Sequence, residues 1–277
     1  MLEKISDRVY YMMNQDETDR PVLGVVIGNN SCLVIDAGNS PKHAREFQAD
    51  LKTMGLPPIK YLALTHYHWD HTLGLSDWDA ISIANFKTIN SMEQYRQVKY
   101  DDASLRLALE EGVLNEFAIK CIKTEIDDRD MFKIKNIDVS YTDCLRIDLG
   151  EVTCEIRHVI SPHTDDSTII YIPEEKTLFL GDCIYGSTKN GKNYFDKDKL
   201  FPMIDIIEQY QADYYLCAHE SICTKEEMAS YFQQLRTAYD IASKSKDLSE
   251  AEIEYKNRFN QELTGDMLFY VKSFVLD

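Results

Sequence analysis

The sequence predicts an α/β (α+β) chain in which a β-sheet is covered by helices, and three observations carry that expectation. The first apolar runs and periodic stretches follow the order strand, strand, helix, strand. The middle of the chain, about residues 85–130, turns helical and polar, and beyond Cys223 only helical patterns remain. The length of 277 residues suits one large core with an appendage, since layered folds of about 200–250 residues are common as single units.

Strands are expected at Val9–Met13, Leu23–Ile27 and Cys32–Ile35. Asn29-Asn30 between the last two suits a tight hairpin whose residues take positive φ. Ser40 caps the next helix with Pro41 at its first position. Phe47, Leu51 and Met54 recur along one face, and Gly55 with Pro57 ends it. Tyr61–Leu64 is a short buried strand running into a histidine-rich loop. After the helical segments SMEQYRQVKY, DDASLRLALEEG and VLNEFAIKCIKTE, strands return. They lie at Val139–Tyr141, Leu145–Leu149 and Val152–Ile160, the last two joined by a turn at Gly150-Glu151. Thr168–Ile172 and Thr177–Leu180 follow, about a turn at Pro173–Lys176. Thr224 with Glu227, and Ser249 with Glu252, read as capping boxes. Met228, Phe232, Leu235 and Tyr239 form a stripe suited to core or subunit packing. The late apolar run Met267–Val271 suggests docking on the core or on a second copy, a homodimer.

Hydrophobic residues make up 44% of the chain and charged residues 28%, which is ordinary globular composition. The 30 Lys and Arg against 47 Asp and Glu leave a net charge of −17, which disfavours nucleic-acid and anionic-membrane partners. The N-terminus has no apolar segment with a cleavage site, and no run of about 18 apolar residues suggests a membrane span. Seven cysteines, odd in number and without a Cys-x-x-Cys pair, fit reduced thiols acting as small hydrophobes. The expectation is a cytoplasmic protein.

One segment outweighs the rest: Thr65-His66-Tyr67-His68-Trp69-Asp70-His71, directly after a buried strand. Imidazole is the commonest metal ligand and a carboxylate adds charge. A solvated polar turn accounts for one histidine, not for four such groups packed this densely. Downstream, Ser161-Pro162-His163-Thr164, Leu180-Gly181-Asp182 and Ala218-His219 each follow an apolar run, and Asp36-Ala37-Gly38 closes the third strand.

On these motifs the chain resembles the metallo-β-lactamase superfamily, a set of mostly dinuclear metal hydrolases, over roughly residues 5–223. The resemblance implies a four-layer αββα sandwich of two mixed sheets flanked by helices. The domain would span residues 1–223 with the helical insertion at about 85–130, followed by a helical C-terminal extension at 224–277. It implies His66, His68 and His163 on one metal and Asp70, His71 and His219 on the other, with Asp182 bridging. A donor set of imidazole and carboxylate without cysteine suits two divalent ions, zinc first, with iron or manganese tolerated. In one departure, Pro162 abuts His163 where the family usually has a glycine between them, so that loop must turn differently. The rival His158 sits inside an apolar strand and reads as structural, while His43 reads as solvated on the polar side of its helix.

The expected reaction is hydrolysis of an ester, thioester, lactone or phosphoester in a small molecule, with Asp70 also orienting the nucleophile. By the resemblance, true β-lactamases carry cysteine or serine where Asp182 stands. The alternatives are a mononuclear iron sulfur dioxygenase of the same fold and β-lactamase-like amide hydrolysis. Trp69, Tyr185 and Tyr194 are the candidate substrate contacts, and the insertion is either a lid or a dimer surface.

Overall fold

Seven strands line up in chain order to make the first sheet. They are β1 (Leu2–Lys4), β2 (Val9–Met12), β3 (Leu23–Ile27), β4 (Cys32–Ile35), β5 (Ile59–Ala63), β6 (Ile81–Asn85) and β7 (Val139–Tyr141). Pairing is antiparallel from β1 to β4 and parallel from β4 to β7. Parallel neighbours need crossovers, and here helices supply them. α1 (Pro41–Lys52) joins β4 to β5. The short α2 (Trp69–Thr72) follows β5, and α3 (Phe86–Arg96), α4 (Asp102–Glu110) and α5 (Glu116–Glu125) lie between β6 and β7. The structure, a computed structural model, describes residues 2–189 and 191–275.

The second sheet has the order β15-β14-β11-β10-β9-β8. Its strands are β8 (Cys144–Asp148), β9 (Thr153–His158), β10 (Thr168–Ile172), β11 (Thr177–Gly181), β14 (Tyr214–Cys217) and β15 (Cys223–Thr224). Only β11 and β14 pair in parallel, across α6 (Lys197–Ile207). A separate hairpin pairs β12 (Ser187–Lys189) with β13 (Lys192–Tyr194). Three helices close the chain: α7 (Lys225–Ala242), α8 (Leu248–Phe259) and α9 (Gly265–Phe274).

Strand periodicity explains why both faces of the first sheet are dry. In β4 all four residues are buried, but Leu33 and Ile35 face the second sheet while Cys32 and Val34 face the helices. Leu33 and Ile35 share a core with Ile156, Ile170 and Phe179 of the second sheet. Cys32 and Val34 share one with Phe47 and Leu51 of α1 and Met92 of α3. The outer face of the second sheet, with Ile169, Leu178 and Leu180, is covered by Leu200 and Ile204 of α6 and Phe232 of α7. The layers therefore run helix, sheet, sheet, helix, as expected.

Some local expectations need correction. The tight β3–β4 turn at Asn29-Asn30 is present, closed by Gly28 N donating to Ser31 O at 3.0 Å, but neither Asn29 nor Asn30 takes positive φ. Instead their amides donate to the carbonyls of Gly150 and Leu149 at 2.9 Å each, tying this turn to a turn of the other sheet. There Gly150 (φ 89°) and Glu151 (φ 62°) form the two-residue hairpin with positive φ at both positions. Thr224 and Glu227 do make a capping box, but α8 begins earlier than Ser249, because the Asp247 carboxylate caps it by accepting from Glu250 N. His43 is fully buried rather than solvated. All seven cysteines are free, and no helix among the described residues is long and apolar enough to cross a membrane.

Candidate metal centre

The parallel strands deliver their C-terminal ends to one edge, and the titratable motifs all lie there. β4 is followed by Asp36, whose φ of 62° is tolerable for a short polar side chain and turns its carboxylate back under β5. That carboxylate accepts from Thr65 N at 2.7 Å and from Thr65 Oγ1 at 2.8 Å, and it lies 2.8 Å from His71 Nδ1. With Nδ1–H donated to Asp36, His71 presents Nε2 forward as a lone pair. α2 then carries Asp70 and His71 into the interior, where both are buried.

The second sheet brings its groups by three loops. His163 sits between β9 and β10, in a turn held by Ser161. Ser161 Oγ accepts from Thr164 N at 3.0 Å, and Ser161 N donates to Thr164 O at 3.1 Å. These bonds shape the loop without the usual glycine. His163 Nδ1 lies 3.2 Å from Gly186 O, which leaves Nε2 for the centre. Asp182 follows Gly181, where φ is 53° and a Cβ would stand 2.7 Å from Thr65 Cβ, so a side chain there would push the two sheets apart. Ala218 N donates to Gly181 O at 3.1 Å and sets His219 beside Asp182. Across the seam, Thr168 N donates to Thr65 O at 2.7 Å.

Two clusters result, His66–His68–His163–Asp182 and Asp70–His71–Asp182–His219. Within each cluster the donor atoms all lie within 4.8 Å of one another. His68 Nδ1 is 2.9 Å from both His66 Nε2 and His163 Nε2. Asp182 Oδ2 is 3.4 Å from His163, 3.5 Å from His71 and 3.6 Å from each of His66 and His219. Asp70 Oδ2 is 3.0 Å from His71 Nε2 and 3.2 Å from His219 Nε2. Donors about 2.0–2.1 Å from a tetrahedral zinc stand ~3.4 Å from each other, so these separations are compatible with metal coordination.

Buried atoms without hydrogen bonds test the fit. Asp182 Oδ1 has no hydrogen-bond partner, and His71 Nε2 has none either despite its nearness to Asp70. One proton on His68 Nδ1 also cannot serve two facing imidazole nitrogens. A cation in each cluster would satisfy these atoms, so the residues fit metal binding. The electrostatics agree. Burial, aided by neighbouring His71, holds His66 well below the usual histidine range and keeps it a neutral donor. Burial opposes charge on His219 as well, yet Asp182 and Asp70 outweigh it and lift the imidazole to about 11. His71 is raised well above the usual range in the same way, by Asp70 and Asp36. The second cluster therefore favours positive charge, the charge that a divalent ion would supply in place of those protons.

The clusters open into a cavity of about 770 Å³. Trp69 and Tyr185 line it, together with Tyr67, Tyr95, Leu109 and residues 112–115 of the helical insertion. Tyr194 is not among the lining residues, and Lys189 Nζ lies 4.8 Å from its ring centroid. His158 Nε2 lies 2.8 Å from Asp165 O, and neither it nor His43 belongs to a cluster. Sequence reasoning missed Asp19 and Glu220, which also line the cavity; each is one acidic residue in an acidic chain and carries no local signal.

Comparison with known proteins agrees with this architecture. A metallo-beta-lactamase from Pontibacter korlensis is 18% identical, with a TM-score of 0.57 over 84% of this chain and 97% of that one. A metallo-beta-lactamase family protein from Thermus thermophilus is 16% identical, with a TM-score of 0.58 over 98% of this chain and 92% of that one. At these identities the likeness is one of fold. No protein of curated function matches the sequence. The family profile described as the metallo-beta-lactamase superfamily matches residues 18–219, from just ahead of Asp19 to His219, and the chain belongs to that superfamily.

Proposed function

We propose that the protein is a metal-dependent hydrolase that holds two divalent ions, zinc first, and cleaves an ester, thioester, lactone or phosphoester bond in a small molecule. The observation that carries this reading is the position of Asp182, whose one oxygen stands 3.4–3.6 Å from imidazoles of both clusters, so the two sites share a ligand. Bound there, such ions lower the pKa of water to near 7 and polarise the bond under attack.

The chain's own residues do the rest. His66, His68 and His163 hold one side and Asp70, His71 and His219 the other. Asp36 fixes the His71 tautomer from behind through its 2.8 Å contact. Asp70, with one oxygen near both His71 and His219, is placed to accept a hydrogen bond from the attacking water and orient it. The Tyr185 hydroxyl accepts from His219 N at 3.3 Å, which directs its own proton elsewhere. Burial pushes that phenol upward, so it stays protonated and able to donate to a developing oxyanion.

Elemental mass spectrometry of purified protein tests the assignment. Wild type should carry about two zinc or manganese ions per chain, and Asp182→Ala about one or fewer with its circular dichroism intact. Turnover of an ester, lactone or phosphodiester panel should fall about a hundredfold or more in the variant. One iron per chain, indifferent to Asp70→Ala, would transfer the assignment to the mononuclear dioxygenase chemistry of this fold.

A further inference from the structure

The charges around the cavity are one-sided. Its walls carry Asp19, Asp70, Asp182 and Glu220, and among the described lining residues there is no lysine or arginine. Asp70 and Asp182 are used by the clusters, which leaves Asp19 and Glu220 over. Asp19 is held by its left-handed backbone (φ 55°), with Oδ1 3.7 Å from His219 Nδ1. The cations nearby are turned elsewhere. Arg20, the next residue, is buried and spends its guanidinium on Glu125 at 2.8 Å and Glu46 at 2.6 Å. Lys199 and Lys87 lie in a neighbouring groove beyond Tyr67 and His163, bonded to the Asp165 carboxylate at 2.7 Å and its carbonyl at 3.2 Å. An anionic group entering the cavity would find no side-chain counter-charge away from the metals. It would meet two carboxylates between aromatic and aliphatic walls, where like charges repel more strongly than in water.

We propose that this cavity selects against substrates that carry an anionic group away from the metals, in the part held by the cavity walls, and that Asp19 and Glu220 impose the selection. The inference rests on the hydrolase reading and narrows it. Substrates with an anionic tail drop out, and those whose part beyond the scissile bond is uncharged or cationic remain. Their apolar part would lie under Leu109, Val113 and Leu114 of the insertion.

A binding experiment separates this inference from the hydrolase reading. Three hydroxamates share one metal-binding head and differ only in a trimethylammonium, tert-butyl or carboxylate tail. Each is titrated into zinc-loaded protein by calorimetry. The carboxylate tail should bind about tenfold or more weakly than the tert-butyl tail. Added salt should shrink that gap. In Asp19→Asn/Glu220→Gln the gap should fall below about threefold, and Glu220→Gln alone, one position past the His219 ligand, should remove about half of it on a logarithmic scale. An anionic tail that binds wild type as tightly as the neutral one overturns the inference, as does a gap undiminished in variants that retain zinc. Failure of the hydrolase reading looks different: the hydroxamates keep their ranking while esters with the same neutral and cationic tails are not turned over.

Discussion

His43 sits one turn into α1, wholly buried, with neither ring nitrogen hydrogen-bonded. Burial, reinforced by the charge of Arg20, pushes its pKa down to about 3. The folded protein therefore holds the ring neutral where an unfolded chain begins to take up a proton below about pH 6.5. A depressed pKa of this kind leaves stability intact above the unfolded value and erodes it as pH falls toward the folded one. Replacement by an apolar residue of similar size, His43→Met, should flatten the acid side of the curve by up to about 4–5 kcal/mol between pH 6.5 and 3. Urea midpoints of the two proteins at pH 7 and pH 4 measure this, and parallel losses in both would contradict it. The sequence showed this residue as a polar group on a helix; only the packing of α1 over Gly38 buries it. The candidate cluster was legible for the opposite reason, since His66, His68, Asp70 and His71 crowd one strand end where solvation is no explanation for so many donors. Asp19 reaches the cavity through tertiary folding alone, and nothing within several residues of it announces that.

The insertion shows how an element whose helices were legible can still hide its purpose. Its polar helical pattern predicted α3, α4 and α5, while lid and dimer surface stood as equal readings. The structure places the turn between α4 and α5 on the cavity wall and fastens α5 from beneath. Arg20 donates to both oxygens of Glu125 at the end of α5, at 3.1 and 2.8 Å, and Ser40 Oγ donates to the same carboxylate at 3.2 Å. Glu125→Ala leaves a buried guanidinium with only the half-exposed Glu46 as partner. It should cost about 2–4 kcal/mol and loosen the roof. Hydrogen exchange should speed up in α5 and the α4–α5 turn more than in the sheets; uniform protection across the variant would refute the fastening. The positions of the apolar strands were legible because Leu23–Ile27 and Cys32–Ile35 are short continuous apolar runs bounded by turn residues, the pattern of strands buried on both faces. The backbone conformation of the Asn29-Asn30 turn was not, because its amides donate to residues 150 and 149, far along the chain. The α8 cap was misplaced because Asp247 and Ser249 are both good caps two residues apart, and only the folded chain chooses between them.

At the scale of the whole molecule, the two sheets meet at the edge where Thr168 N donates to Thr65 O and where the clusters draw donors from both sides. Metals bound there would stabilise the native state and not the unfolded one. Chelation should lower the melting temperature by about 8–15 °C if the ions sit near a thousandfold above their dissociation constant. A chelated protein that melts unchanged would argue against ligands that span the sheets. The layered architecture was readable from element order and the spacing of the motifs, while the cavity's charge balance was not, because it depends on which side chains the folded loops turn outward. Each cluster takes half of its candidate donors from before residue 72 and half from after residue 162. On a ribosome, a nascent chain halted anywhere in the insertion would already expose His66, His68, Asp70 and His71 and yet own neither complete shell. Under the proposed function the first cluster would close only once Asp182 has left the exit tunnel and the second only with His219, so metal capture would be a late act of biogenesis.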